Sequence, residues 1–140
     1  MFTLSRWITM NAILMMALGI AFALYGPLML AFFGIADIPS QEVILYWNIA
    51  SFARLFGAGM FSLGLLLFAL RTPIAQGELS GPGQRGVIFS LLLGNLLAAI
   101  VALTQQASVW NIWAGWVLSL VFALLTIGYG VFLARRPEAG

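Results

Sequence analysis

Four long apolar stretches run through the chain, and most of its charged residues lie outside them, either between two stretches or after the last one. Each stretch has about 20 or more residues, which is the length that a helix needs to cross the hydrocarbon core of a bilayer. The runs are continuous and do not alternate with polar residues, so they favour helices over barrel strands. The pattern predicts four membrane-spanning helices at about 6–33, 43–70, 84–105 and 109–134.

Composition supports the same interpretation. Of 140 residues, 63% are hydrophobic and 7% are charged, whereas about a quarter of the residues of an ordinary soluble domain are charged. The apolar amino-terminal region is too long for a cleaved signal peptide, so we read it as the first span. The sequence therefore predicts an all-α integral membrane four-helix bundle that forms a single domain over residues 1–140.

The arginines indicate an orientation. If the chain crosses the membrane four times, five of the six arginines fall on one side, namely Arg6, Arg71, Arg85, Arg135 and Arg136. The other side carries Asp37 and Glu42. Because basic residues accumulate on the cytoplasmic side, both termini are expected in the cytoplasm, in a multi-pass protein of a bacterial inner membrane.

Several residue types are missing from the sequence, and their absence limits the kinds of cofactor and catalytic site that the chain could form. The chain has no cysteine and no histidine, and these side chains hold most protein-bound zinc, haem and iron–sulfur groups. No acid, lysine or histidine lies well inside a predicted span, where a proton relay would need one. No basic patch favours nucleic acid. We expect a protein that is not an enzyme, with no catalytic residues, metal or cofactor.

Small residues mark the expected contacts between helices, because close packing replaces the hydrophobic force in lipid. Gly57 is one such residue in span two. In span three they recur every four positions, at Gly86, Ser90, Gly94, Ala98 and Ala102. We interpret this stripe as the main internal interface, although a partner protein could use it equally well.

One arginine lies inside an apolar run, "NIASFARLFGAG". Arg54 is 17 residues from Arg71, so it lies about 25 Å away along a helix and about 5 Å below the outer hydrocarbon boundary. From there its side chain can reach the headgroups. Two readings stay open. In the first, Arg54 reaches outward and pairs with Asp37, Glu42 or a lipid phosphate; in the second, it is a charge that binds a ligand, with Tyr25 at the same level.

Three further residues are candidate ligand contacts. Asn95 lies near the midplane, where an unpaired amide is costly; it either bonds to Ser62, Thr126 or a backbone carbonyl, or it contacts a ligand. Trp113 and Trp116 form either part of an outer aromatic belt or a flat wall for an apolar ligand.

A proline interrupts the first span. Gly26 and Pro27 lie near its outer end, and a straight helix over the whole span would be about 40 Å long, longer than the hydrocarbon core of about 30 Å. A kink, tilt or break at Pro27 is expected to absorb the excess.

The layout resembles small four-helix bacterial membrane proteins of the broad DoxX-like type. The resemblance is carried by "ARLFGAGMFSLGLLLFALR" and "LLGNLLAAIVAL". It implies a four-helix bundle with cytoplasmic termini, and in some such proteins a link to redox chemistry or to membrane complexes. A thiol-based redox role does not fit a chain without cysteine.

Two functions follow as hypotheses. The first is an accessory or assembly subunit that packs in a larger membrane complex, with membrane lipids and other membrane protein subunits as partners. The alternative is a binder or carrier of an apolar small molecule, such as a lipid, quinone or pigment, in the outer leaflet.

Overall fold

Four long helices account for most of the structure, a computed structural model that describes residues 3–35, 43–78 and 81–134. They are α1 (Leu4–Phe32), α2 (Val43–Ala75), α3 (Gly81–Gln105) and α4 (Trp113–Ala134), with a π-helical segment, Gln106–Trp110, directly after α3. Each of the four is long and apolar enough to cross a membrane. The predicted all-α architecture of a small polytopic membrane protein is confirmed.

The carboxyl end of α1 lies close to its predicted position and has a local cause. Gly34 adopts a positive φ of 79°, which costs glycine little because it has no Cβ. The N–H of Ile35 donates to the carbonyl of Leu30, and the N–H of Gly34 donates to that of Ala31. This pair of bonds is a Schellman cap, which satisfies the last carbonyls of the helix.

The helix α2 extends beyond the predicted end of span two near residue 70. It continues through Arg71 and Pro73 to Ala75, and it ends before Gly77, whose φ is 73°. Arg71 therefore does not stop the helix. The guanidinium of Arg71 lies 3.5 Å from the ring centre of Phe68 on the preceding turn. Where the membrane span itself ends stays a prediction.

The connection between α3 and α4 begins as a continuation of helical structure. The hydroxyl of Ser108 donates to the carbonyl of Thr104, four residues earlier, within a helical path that runs to residue 110. Asn111 then takes a left-handed conformation (φ 46°, ψ 41°) and reverses the chain.

The chain divides into two compact units, an amino-terminal hairpin (Ile8–Arg71) and a carboxy-terminal unit (Met1–Trp7 with Thr72–Gly140). In the carboxy-terminal unit α3 and α4 pack along their length, joined by the π-helical segment and the two residues that follow it. They are antiparallel neighbours. The prediction of a single domain over 1–140 stays a prediction.

The two helices of the hairpin meet backbone to backbone. A Cβ added at Gly19 would lie 2.5 Å from the amide nitrogen of Phe61 and 2.8 Å from the carbonyl oxygen of Gly57. A Cβ at Gly57 would lie 2.5 Å from the nitrogen of Ala23 and 2.7 Å from the carbonyl oxygen of Gly19. No side chain of any size fits at either position, so glycine sets the distance between the helices.

These contacts recur at seven-residue intervals along an antiparallel pair, which we call the glycine seam. Its members are Ala12, Gly19 and Gly26 on α1 with Ala50, Gly57 and Gly64 on α2. A Cβ at Gly64 would meet Met16 and the carbonyl oxygen of Ala12, and a Cβ at Gly26 would approach the carbonyl oxygen of Ala50. A seven-residue repeat keeps one face of a helix towards its neighbour with little drift.

The small-residue stripe of span three does not form one internal face. Gly86, Ser90 and Gly94 are exposed, Ala98 is half-buried, and Ala102 is buried. The reason is geometric, since a step of four residues turns about 40° beyond a full helical turn and four steps turn about 160°. The buried residues of α3 are Ile88, Asn95, Ala99 and Ala102, at intervals of seven, four and three residues, which follow the helical repeat of about 3.6. The stripe as a whole does not follow this buried face, and its interpretation as the main internal interface stays a prediction.

The glycine seam yields a matched pair of variants. We expect Gly57→Ala to lower the thermal unfolding midpoint in detergent, because its methyl group collides with the backbone of α1 at a cost of about 1–3 kcal/mol. Gly59→Ala, two residues away and facing open space, should leave the midpoint unchanged or raise it slightly. Equal midpoints for the two variants would contradict the seam.

Candidate functional site

The predicted kink in α1 is present and forms an elbow, by which we mean Tyr25, Gly26 and Pro27. Tyr25 has φ −115° and ψ 34°, outside the helical region, and helix continues on both sides of it. Pro27 has no N–H to donate to the carbonyl of Ala23, and its ring also disfavours helical geometry in the residue before it. The departure from helical geometry lies at Tyr25, two residues before the proline.

The helix is kinked at the elbow. Phe22 and Phe33 are eleven residues apart, a rise of about 16 Å in a straight helix. Their ring centres are nevertheless only 6.1 Å apart, and the two ring planes are inclined to each other by 24°. Phe56 of α2 meets Phe22 edge-on at 5.9 Å, so three aromatic rings join the last turn of α1 to α2.

Arg54 lies across the elbow. A Cβ added at Gly26 would lie 3.1 Å from Cγ and 3.5 Å from Nε of Arg54. The stem of the arginine therefore runs over the one residue of the elbow that has no side chain, and Gly26 itself is buried. The guanidinium end belongs to an exposed residue.

Two predicted site residues, Arg54 and Tyr25, are thus brought to one place, since Tyr25 precedes the glycine under Arg54. Tyr25 is 59% exposed. Their predicted acidic partners, Asp37 and Glu42, lie outside the described residues. Among the residues that the structure describes, Arg54 makes no hydrogen bond or ion pair.

Trp113 and Trp116 belong to the carboxy-terminal unit, at the start of α4. They are 69% and 59% exposed. They lie on the side of α4 that carries its exposed apolar residues, with Val117 and Leu120 following them. This placement fits the aromatic-belt reading, and the choice between belt and ligand wall stays open.

Asn95 is buried, with 4% of its surface exposed. Its Nδ2 donates to the carbonyl of Leu91, one turn earlier in the same helix, at 2.7 Å. Of the partners that the sequence suggested, the backbone carbonyl is the one observed. Ser62 and Thr126 likewise donate to carbonyls four residues earlier in their own helices. The Oδ1 atom of Asn95 accepts no hydrogen bond from the described residues.

Gln106, which was not predicted from the sequence, is a buried polar residue with 2% of its surface exposed. Its side-chain oxygen accepts from the N–H of Ile112 at 3.4 Å, and its backbone oxygen accepts from Asn111 at 3.2 Å. Gln106 therefore holds the turn between α3 and α4. Asn111 was the available signal, because asparagine tolerates the left-handed conformation that ends many helices.

No family model, curated protein or solved structure matches the chain. The resemblance to DoxX-like proteins accordingly assigns no family. What stands is a small polytopic membrane protein with four long apolar helices.

The environment of Asn95 generates a prediction. Its bond to Leu91 links no second helix, and its buried Oδ1 has no donor among the described residues, a deficit that typically costs about 1–3 kcal/mol. Asn95→Leu, of similar volume, should therefore keep or raise the thermal midpoint in detergent. Asn95→Asp at neutral pH should lower it, because a buried carboxylate is far more costly. A leucine variant that is clearly less stable would show that Oδ1 accepts a hydrogen bond from another group.

Proposed function

We propose that the protein is a non-catalytic subunit of a larger membrane assembly, and that a helix of another membrane protein packs on the exposed small-residue face of α3. This face consists of Gly86, Ser90 and Gly94. The observation that carries the proposal is that a Cβ added at Gly86 or Gly94 would meet nothing within 4 Å.

Four other helical glycines provide a comparison, whereas Gly59 is a single exposed glycine on α2 that also faces open space and belongs to no ridge of small residues spaced by four. At Gly19, Gly57 and Gly64 the missing side chain admits the backbone of a second helix, and at Gly128 it admits the ring of Trp7. Glycine in a helix otherwise costs about 0.5–1 kcal/mol relative to alanine. Gly86 and Gly94 have no such contact, so a helix of another chain would supply the close approach that the glycines permit.

The shape of the face suits a helix. Gly86, Ser90 and Gly94 form a ridge of small residues spaced by four. A parallel ridge of large exposed side chains flanks it, formed by Phe89, Leu93 and Leu97. Together they make a shallow groove into which a ridge of another helix can fit. Small residues spaced by four favour the right-handed crossing that is common between membrane helices.

In this proposal the four helices of the chain form one bundle in a bacterial inner membrane, with both termini in the cytoplasm. The distribution of the arginines supports that orientation.

Two glycines of equal exposure provide the test. Gly94→Leu and Gly59→Leu both place a side chain in open space, so neither should lower the thermal midpoint. We expect Gly94→Leu to reduce co-purification of partner proteins from gently solubilised membranes by about tenfold, whereas Gly59→Leu should leave it unchanged. Co-purification that survives Gly94→Leu would contradict the proposal.

A cross-link identifies the partner. The chain contains no cysteine, so Ser90→Cys introduces a single thiol on the small-residue face. We expect a cross-linker with one thiol-reactive end and one photoreactive end, which needs no lysine on the acceptor, to join it to a different membrane protein, with Ser62→Cys on α2 as the control. Cross-linking only to a second copy of this chain would replace the proposal with a homodimer.

A further inference from the structure

The elbow and Arg54 form a second feature, which lies on the amino-terminal hairpin. It has no part in the proposed packing of a partner helix on α3. We propose that it is a binding site for the phosphate of an anionic phospholipid, with Arg54 as the residue that contacts the phosphate. The chemistry is a guanidinium that meets a phosphodiester oxyanion, a pairing that often forms two parallel hydrogen bonds.

The level of the site in the membrane supports a lipid headgroup. α1 rises about 30 Å from Arg6 to Gly26, and α2 rises about 25 Å from Arg54 to Arg71. Arg6 and Arg71 are the basic residues at the other end of these two helices. Both lengths approach the thickness of the hydrocarbon core, about 30 Å, so two separate helices place the elbow next to the headgroup layer.

The position of the guanidinium supports an external ligand. Arg54 is exposed, and it has no hydrogen-bond or ion-pair partner among the described residues. The methylene chain of Arg54 lies on Gly26, where the Cβ of any other residue would lie 3.1 Å from Cγ. Holding the stem reduces the side-chain entropy that binding would otherwise cost.

The surroundings of Arg54 suit the apolar part of a lipid. Phe52, Leu55 and Phe56 are 73%, 69% and 60% exposed, and they are the α2 residues next to Arg54 in sequence. Tyr25, 59% exposed at the elbow, adds a phenol at the same level. A charged group with large exposed apolar side chains beside it matches an amphiphile and not a free inorganic anion.

Native mass spectrometry tests the proposal. The full chain is released from nanodiscs of equal parts phosphatidylglycerol and phosphatidylcholine, and the retained lipids are counted. We expect wild type to prefer phosphatidylglycerol, and Arg54→Gln to lose that preference by about tenfold, the effect of losing one charge-assisted contact. Arg85→Gln, which removes an exposed arginine from α3, should retain the preference.

A lysine variant provides a second measurement if Arg54→Gln cannot be purified. Arg54→Lys keeps the charge and loses the planar two-point geometry, so it should retain phosphatidylglycerol at a level between wild type and the glutamine variant. A preference that is unchanged in Arg54→Gln, or that Arg54→Lys loses entirely, would overturn the assignment.

Two other occupants have distinct results. If Arg54 instead pairs with a loop acid, Asp37→Asn with Glu42→Gln should free it and raise the retained phosphatidylglycerol; we expect no change.

If the site takes free phosphate, inorganic phosphate should raise the thermal midpoint in lipid-free detergent as much as phosphatidylglycerol does; we expect it to raise the midpoint far less. Either contrary result would overturn the lipid site.

Discussion

The contact between the backbones of α1 and α2 fixes the amino-terminal hairpin. At Gly19 and Gly57 each helix presents an α-hydrogen to a carbonyl oxygen of the other, because a carbon in place of that hydrogen would lie within 2.8 Å of the oxygen. Such contacts contribute about 0.5–1 kcal/mol each. They matter in lipid, where helices gain little from burying apolar side chains against one another. Their larger effect is on register, since moving either helix by one residue would place a side chain where only glycine fits.

That register also positions Arg54. The seam pairs Gly19 with Gly57, and one heptad further along α1 it brings Gly26 beside Ala50 and Arg54. The arginine therefore meets the elbow because of contacts that begin about 10 Å away along α1. Pro27 has a separate effect, since it kinks α1 next to the glycine that Arg54 covers. Each residue has an ordinary structural explanation, and their combination places an exposed charge at the elbow.

Much of the fold could be predicted because membrane-length apolar runs leave few alternatives. The helix ends were less predictable, since Gly77 and Asn111 end helices through positive φ while the more conspicuous Arg71 and Ser108 do not. The elbow followed from Pro27, but the contact of Arg54 with Gly26 did not, because it depends on the register of two helices that are distant in sequence. The stripe of span three shows the limit most clearly. Five small residues at a fixed spacing of four suggest one face, whereas a helix with 3.6 residues per turn spreads them from the exposed side at Gly86 to the buried side at Ala102.

The length of α2 explains how an otherwise apolar helix can carry a charged residue, Arg54. α2 has 33 residues and is about 50 Å long, about 20 Å longer than a hydrocarbon core. A helix of this length that crosses the core upright extends into the headgroup layers. Tyr46 and Trp47 lie near its start, with ring centres 5.6 Å apart, as suits residues that favour the interface. An arginine eleven residues into such a helix is not at the centre of the bilayer, where its charge would be costly. α2 is longer than a span requires. Because of this excess length, a charge at Arg54 has a lower free-energy cost than a charge at the centre of the bilayer.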